Sequence, residues 1–451
     1  MELDDRLTHV AVIGAAGKMG SGITLLMAQE MARLSLLPEH KGKLFRLEAI
    51  DLDPDALRGL QDYVHTQAVK AAEKNAISLR AAYAARKDLV ENSEIIEDFV
   101  RRTDSMVWPS TDLSAAKGAR IVFEAIVEKI PVKVDVLKKL RETCDPEAFF
   151  FTNTSSVPIG LLDMEAGLGG RIMGVHFDNP PPVQKLVETI RGEATRDDVA
   201  QTVVEIGKRL RKTLIPAADV AGFIGNGHFI RDGHHAIAEA ERLAERHGWP
   251  SAVWMMNRVS QDWLLRPMGI FQLIDYVGVD VFQFIERVMD HYLDEKLTNA
   301  TIDRMMELKA AGGQRPDGSQ KPGFLEYERG KITGVYDPAT RAYIPVDPQG
   351  WTDAADKALG DLPPNFRPWK ALLQAPDRDA ALAAHFDALA DMKTLGAELA
   401  RAYHRRSLEI GEGLVARGVA ARPEDVNGVL TSGFYHLYGP INDYLEVKVP
   451  R

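Results

Sequence analysis

Over the first 215 or so residues, short apolar runs alternate with longer stretches whose apolar side chains recur every three or four positions, the signature of strands alternating with amphipathic helices. THVAVI (8–13) is rich in β-branched residues and ends at Gly14, after which Ile23, Met27 and Met31 recur at helical spacing. LEAID predicts a second strand ending at Asp51, and DPDALRGLQDYV opens with the Asp-Pro of a helix start. The long, charged, periodic stretch 59–105 predicts helices inserted between strands. RIVFEAIVE (120–128) predicts a buried strand, and a helix after Pro131 carries Val134, Leu137 and Leu140. AFFFTN, RIMGVHF and KLVETI predict three further strands. The alternation predicts an α/β domain over 1–215. From 216 the pattern is helical, and the expected region is all-α: a helical unit over 216–310, then more helices over 351–451. Between them, 311–350 holds 12 Gly or Pro in 40 residues, which predicts an irregular excursion or linker. RPMGIFQLIDYVGVD (266–280) and LYGPINDYLEV (437–447) share a glycine, a helix-like apolar run and an Asp.

Composition narrows the class. The 451 residues are 45% hydrophobic and 27% charged, ordinary for a folded protein. With 55 Lys+Arg against 65 Asp+Glu the net charge is −10, a poor field for wrapping nucleic acid. A single cysteine, Cys144, excludes an intramolecular disulfide and a multi-cysteine zinc site. The acidic N-terminus resembles neither a secretory signal nor a transit peptide, and no apolar run reaches the ~18 residues of a membrane helix. The expectation is a cytoplasmic enzyme or ligand binder with no membrane or nucleic-acid partner.

VAVIGAAGKMGSG places Gly14, Gly17 and Gly20 after a strand and at a helix start, with Lys18 and Met19 between the last two. Such a turn lets the backbone approach a pyrophosphate, and the helix N-terminus supplies free N–H groups and a positive dipole end. The spacing is GxxGxxG, one residue longer than the dinucleotide fingerprint, and it is not an NTPase phosphate loop, because Met19 stands where a hydroxyl should bind magnesium. The turn therefore predicts a Rossmann-type dinucleotide site. Asp51, at the end of the second strand, is the candidate ribose acceptor and favours NAD over NADP. Asp53 and Asp55 are near enough to compete, with helix-start charge as their ordinary reading.

In GVHFDNPPPVQKLVE, His176 ends one strand and Glu188 lies in the next, with NPPP turning the chain between them. A His held by a carboxylate is the arrangement of a tuned general base, and also of many purely structural pairs. FEAIVEKIPVKVDVL, FTNTSS, GVHFDNPPPVQKLVE, AGFIGN and RPMGIFQLIDYVGVD occur in the order found in the L-3-hydroxyacyl-CoA dehydrogenases, which residues 8 to about 290 resemble.

The resemblance implies NAD as cofactor and oxidation of an L-3-hydroxyacyl-CoA to the 3-ketoacyl-CoA, a reaction of fatty-acid β-oxidation. It makes His176 the base, Glu188 its orienting acid, and Ser155 and Asn226 holders of the substrate oxygen. Asn153 and Asn179 would lie by the cofactor, Asn179 beside the nicotinamide and the His. Glu128 and Lys133 would line the cofactor cleft, and Lys70 and Lys74 would meet CoA phosphates. Two positions depart from the family: Asp178 where Phe is common, and Gly227 where Arg usually follows the asparagine of GFIGN. Asp178 is on that account a candidate substrate-rim residue: on an extended strand it shares a side with residue 176, where its carboxylate would raise the His176 pKa, the other orientation being into the turn. The C-terminal EDVNGVLTSGFYHLYGPINDYL resembles a second, degenerate copy of the helical unit, which would replace the dimer partner of short relatives within one chain. No hydratase-like segment is present, so a stand-alone dehydrogenase is expected, as monomer or homodimer. Two other readings remain: a dehydrogenase of a free 3-hydroxy acid or carnitine-like substrate, and a non-catalytic NAD-binding sensor or assembly subunit. His228, His234 and His235 lack a metal-site spacing, and no metal is expected.

Overall fold

His9–Ile13 (β1) is buried from Val10 onward, as VAVI requires of a strand covered on both faces. In the computed structural model, which describes residues 1–315 and 318–445, β1 sits inside an eight-stranded sheet. The other strands are Arg46–Ile50 (β2), Val107–Ser110 (β3), Ile121–Glu124 (β4), Phe149–Thr152 (β5), Ile172–Phe177 (β6), Leu186–Arg191 (β7) and Thr213–Ala218 (β8). Their order is β3-β2-β1-β4-β5-β6-β7-β8. Neighbours run parallel except β6 and β7, which are antiparallel. The order reverses direction at β1, with β2 on one side and β4 on the other, the switch point where such sheets bind ligands at their C-terminal ends.

Stretch 59–105 forms the expected helices, Pro54–Lys74, Ala76–Ala82 and Asn92–Met106, between β2 and β3. Two expectations need correction here. The strand foreseen over 120–128 ends at Glu124, because that carboxylate bonds the Ile126 N–H at 2.8 Å and turns the chain out of the sheet. The boundary foreseen at 215 falls inside β8, which pairs with β7 from Leu186–Thr213 to Arg191–Ala218. The first compact unit therefore runs to Asp219 and the second starts at Val220. Asp219 ends the first unit by accepting the Ile159 and Gly160 N–H groups at 2.5 and 2.7 Å, which caps the helix Ile159–Ala166.

The second unit is largely helical, and not all-α as expected. Leu325–Glu328 (β9), Lys331–Asp337 (β10) and Ala342–Pro345 (β11) form a small antiparallel sheet within the stretch expected to be an excursion or linker. The Gly and Pro residues serve its turns, while Phe324, Leu325 and Val335 are fully buried in the helical core. Asp275 anchors this sheet: its buried carboxylate accepts the Phe324 and Leu325 N–H groups at 2.7 and 2.8 Å and the Tyr327 hydroxyl at 2.9 Å.

The helices Gly225–His247 and Leu395–Ala416 pack on each other through buried polar ties. Asp232 accepts Arg266 at 2.6 Å and the Tyr403 hydroxyl at 3.0 Å, and His228 meets Ser407 at 3.0 Å. Landmarks of the two halves recur at one offset of 170 residues (418 − 248, 427 − 257, 435 − 265 and 439 − 269). Gly248 and Gly418 have φ of 78° and 70°, and Leu265 and Tyr435 have φ of 53° and 54°. Asn257 bonds the Gln272 N–H at 3.1 Å, and Asn427 bonds both the N–H and the carbonyl of Ile441 at 3.0 and 2.8 Å. Each Asn lies so close to its glycine, Gly269 or Gly439, that a Cβ there would come within 2.2 and 2.1 Å of it. The last two residues of the 437–447 match lie outside the described residues.

Candidate active site

The glycine turn connects β1 to the helix Lys18–Leu34 at the switch point. Its three glycines have different physical reasons. Gly14 has φ of 76°, and a Cβ there would lie 2.5 Å from the Ala125 carbonyl oxygen. A Cβ on Gly20 would lie 1.9 Å from the Gly14 oxygen, so Gly20 lets the helix close onto the strand. Gly17 is the helix N-cap, is exposed, and meets only the Gly14 oxygen at 3.3 Å. It leaves a bare helix N-terminus, flanked by exposed Lys18 and half-buried Met19, where an anion can approach the backbone. Asp51 follows β2 and accepts the Ala16 N–H at 3.0 Å, so its carboxylate is joined to the glycine turn. Asp53 instead caps the helix Pro54–Lys74, accepting from Asp55 and Ala56 at 2.8 and 3.2 Å. A cradle of this kind at the switch point fits a dinucleotide pyrophosphate and ribose.

The next strands carry a second constellation. His176 and Glu188 are register partners on antiparallel β6 and β7, and His176 Nδ1 lies 3.2 Å from Glu188 Oε2. The Glu side chain is buried and the His nearly so, at 3% and 15% exposure. Burial, the largest influence, pushes the imidazolium pKa down. The Glu188 hydrogen bond and charge outweigh it, helped by the charges of Asp178 and Glu128, so His176 is raised above its usual value. Asp178 is half-buried just beyond β6, and burial pushes its carboxyl up to about 6. Asn153, at the end of β5, accepts the Phe177 N–H at 2.9 Å and so fixes the strand beside His176. Half-buried Asn179 begins the turn, its carbonyl accepting the Gln184 side chain at 3.3 Å.

Glu128 accepts the Thr154 hydroxyl at 2.7 Å and the Ser155 N–H and hydroxyl at 2.6 and 3.2 Å. Lys133 is buried between Glu124 and Glu128, each at 2.8 Å. Burial works against both Lys133 and Glu128, but the pairing prevails, raising the lysine and lowering the acid, so both stay charged. Sequence reasoning missed Glu124, a charged residue closing the apolar run IVFE, which also accepts the Thr152 hydroxyl at 2.6 Å. These groups gather in the first unit. Asn226 belongs to the second, in the first turn of Gly225–His247. A Cβ on its neighbour Gly227 would lie 3.1 Å from Leu414 of the second helical half, which explains the small residue there. Lys70 and Lys74 lie exposed on Pro54–Lys74.

Comparison with known proteins adds a family. The profile of the 3-hydroxyacyl-CoA dehydrogenase NAD-binding domain matches residues 9–220. The mitochondrial hydroxyacyl-coenzyme A dehydrogenases of Sus scrofa and Homo sapiens are each 30% identical over 283 residues, covering 61% of this chain and 78% of theirs. The chain belongs to the 3-hydroxyacyl-CoA dehydrogenase family. As a member of it, the protein is an NAD-dependent oxidoreductase whose first unit is the NAD-binding domain. The crystal structure of 3-hydroxybutyryl-CoA dehydrogenase from Escherichia coli shares the fold with a TM-score of 0.61 at 20% identity, over 96% of this chain and 90% of that one. Among the described residues of the dehydrogenase, no helix is long and apolar enough to cross a membrane. Nor do three or more metal-ligating side chains cluster among them.

Proposed function

We propose that this dehydrogenase oxidises the 3-hydroxyl of an L-3-hydroxyacyl-CoA, with His176 as the base. The observation that carries the reading is the His176–Glu188 pair, locked in register on adjacent strands of the unit that holds the dinucleotide turn. With Nδ1 on Glu188, Nε2 takes the proton of the substrate hydroxyl, and the carboxylate stabilises the imidazolium that forms. NAD, when bound, accepts the hydride from C3. Ser155, on its Glu128 anchor, and Asn226 hold the substrate oxygen, and Asn153 and Asn179 border the nicotinamide. Gly14, Gly17, Gly20, Lys18, Met19 and Asp51 hold the nucleotide, with Glu128 and Lys133 along its cleft. Lys70 and Lys74 meet the CoA phosphates. The reaction belongs to fatty-acid β-oxidation.

The deciding assay is NADH oxidation with acetoacetyl-CoA against free acetoacetate, with His176→Ala as control. Turnover of the thioester, reduced about 10²-fold or more in the variant, is the expected result. Turnover of the free acid instead would move the enzyme to hydroxy-acid substrates.

We also infer that the second helical half is a degenerate copy of the first and takes the place of a partner subunit. The 170-residue offset of caged glycines and left-handed residues supports this. Sedimentation at one chain's 49.9 kDa is the expected result, and a symmetric dimer through the helical unit would remove the idea.

A further inference from the structure

Three consecutive prolines, Pro180 to Pro182, remove three N–H donors from the turn between His176 and Glu188. Within the turn, Val183 and Gln184 donate to the Pro180 oxygen, at 3.0 Å each. Lys212 donates to two carbonyls of this turn, with Nζ at 2.5 Å from the Pro181 oxygen and 2.6 Å from the Gln184 oxygen.

The local fold brings this lysine there. After the helix Asp197–Arg209 the chain reverses through Arg211, which has φ of 55°, and the Lys212 N–H returns to the Gly207 carbonyl at 2.8 Å. Thr213 then opens β8 by donating to Lys185 at 2.8 Å. The lysine lines a small apolar cavity with Phe177, Val187, Leu210 and Leu214, so its stem is in the core while its ammonium reaches the turn.

We propose that Lys212 is a positioning residue for the His176–Glu188 pair, its ammonium clasping the turn between their strands and serving as counter-charge to Asp178. The inference rests on His176 being the base. Asp178 Oδ2 is buried with no hydrogen-bond partner among the described residues. The groups facing this carboxylate are His176 on β6, Glu188 on β7 and Lys212 ahead of β8; His176 itself faces Glu188, Asp178 and Glu128. Burial pulls Lys212 down to about 8, against the attraction of Asp178. Without the ammonium, the turn loses two of its bonds and the carboxylate beside the base is left uncompensated.

Lys212→Met keeps the stem and removes both donors and charge. The expected result is a fall in kcat on acetoacetyl-CoA of about 10- to 100-fold, with the KM for NADH within about twofold of wild type. Adding Asp178→Asn to that variant should recover about fivefold or more of the lost rate, because the orphaned charge is then gone. A merely structural brace gives no such recovery. A Lys212→Met enzyme with wild-type kcat, or a double variant no faster than the single, overturns the inference. If Lys212→Met does not fold, Lys212→Gln carries the same two readings. His176→Ala separates the levels: wild-type kcat in that variant removes the base and the positioning role together. An inactive His176→Ala beside a fully active Lys212→Met removes only the positioning role.

Discussion

Asp178 is one of several groups whose charge acts on the imidazole of His176. Its charge helps hold His176 above the ordinary histidine value, after burial has pulled the other way and Glu188 has outweighed it. On the proposal that His176 is the base, oxidation needs the neutral imidazole, so the rate in that direction should rise with pH through the His176 pKa. Asp178→Asn should shift that rise to lower pH; an unmoved pH profile of kcat/KM refutes the assignment. The residues of this site differed in legibility. His176 and Glu188 could be paired from sequence because twelve residues and a proline turn separate them, and the register does place them opposite each other. Glu124 and Lys212 stayed hidden because each acts through a three-dimensional partner. Glu124 looks like the end of an apolar strand, and Lys212 like one more surface cation in KRLRK.

At the scale of elements, apolar periodicity marked six of the eight main-sheet strands, because strands covered on both faces must be almost wholly apolar; it missed the two edge strands, Val107–Ser110 and Thr213–Ala218, whose half-exposed sequences VWPS and TLIPAA carry no such run. It failed at ends and short pieces. The strand at 121–124 stops where a carboxylate captures the next turn, and the hairpins of 325–345 were masked by the glycines and prolines that make them possible. The helix Ile159–Ala166 depends on a distant cap. Asp219, about sixty positions on, takes its first two N–H groups. Asp219→Ala should lower stability by about 1–2 kcal/mol, read from the denaturant midpoint of the first unit's transition. A midpoint equal to wild type counts against the cap. Gly269→Ala and Gly439→Ala should each cost about 1–3 kcal/mol, since each new methyl meets an Asn side chain. Two unequal losses, one near zero, would mean that the cages are not equivalent.

At the scale of the whole molecule, stability carries a pH signature from Asp275, whose carboxyl burial pushes up to about 7 against its three hydrogen bonds. Its unfolded value is 3.8, so between about pH 4 and 7 the folded chain holds a proton that the unfolded chain has released. Stability from this group is complete below that window and is lost as pH rises through it. Wild type should therefore lose ground to Asp275→Asn from pH 4 to 7 in thermal unfolding; a constant difference between the two refutes the assignment. The offset of 170 has a different consequence. In an assembly of identical subunits every substitution strikes both arms at once, whereas two arms written into one polypeptide can drift separately. The position matching Asn226 on that offset is Gly396, where a Cβ would lie 2.6 Å from the Trp263 ring. On the proposed duplication, one arm presents a carboxamide at this position and the other a glycine packed against an indole.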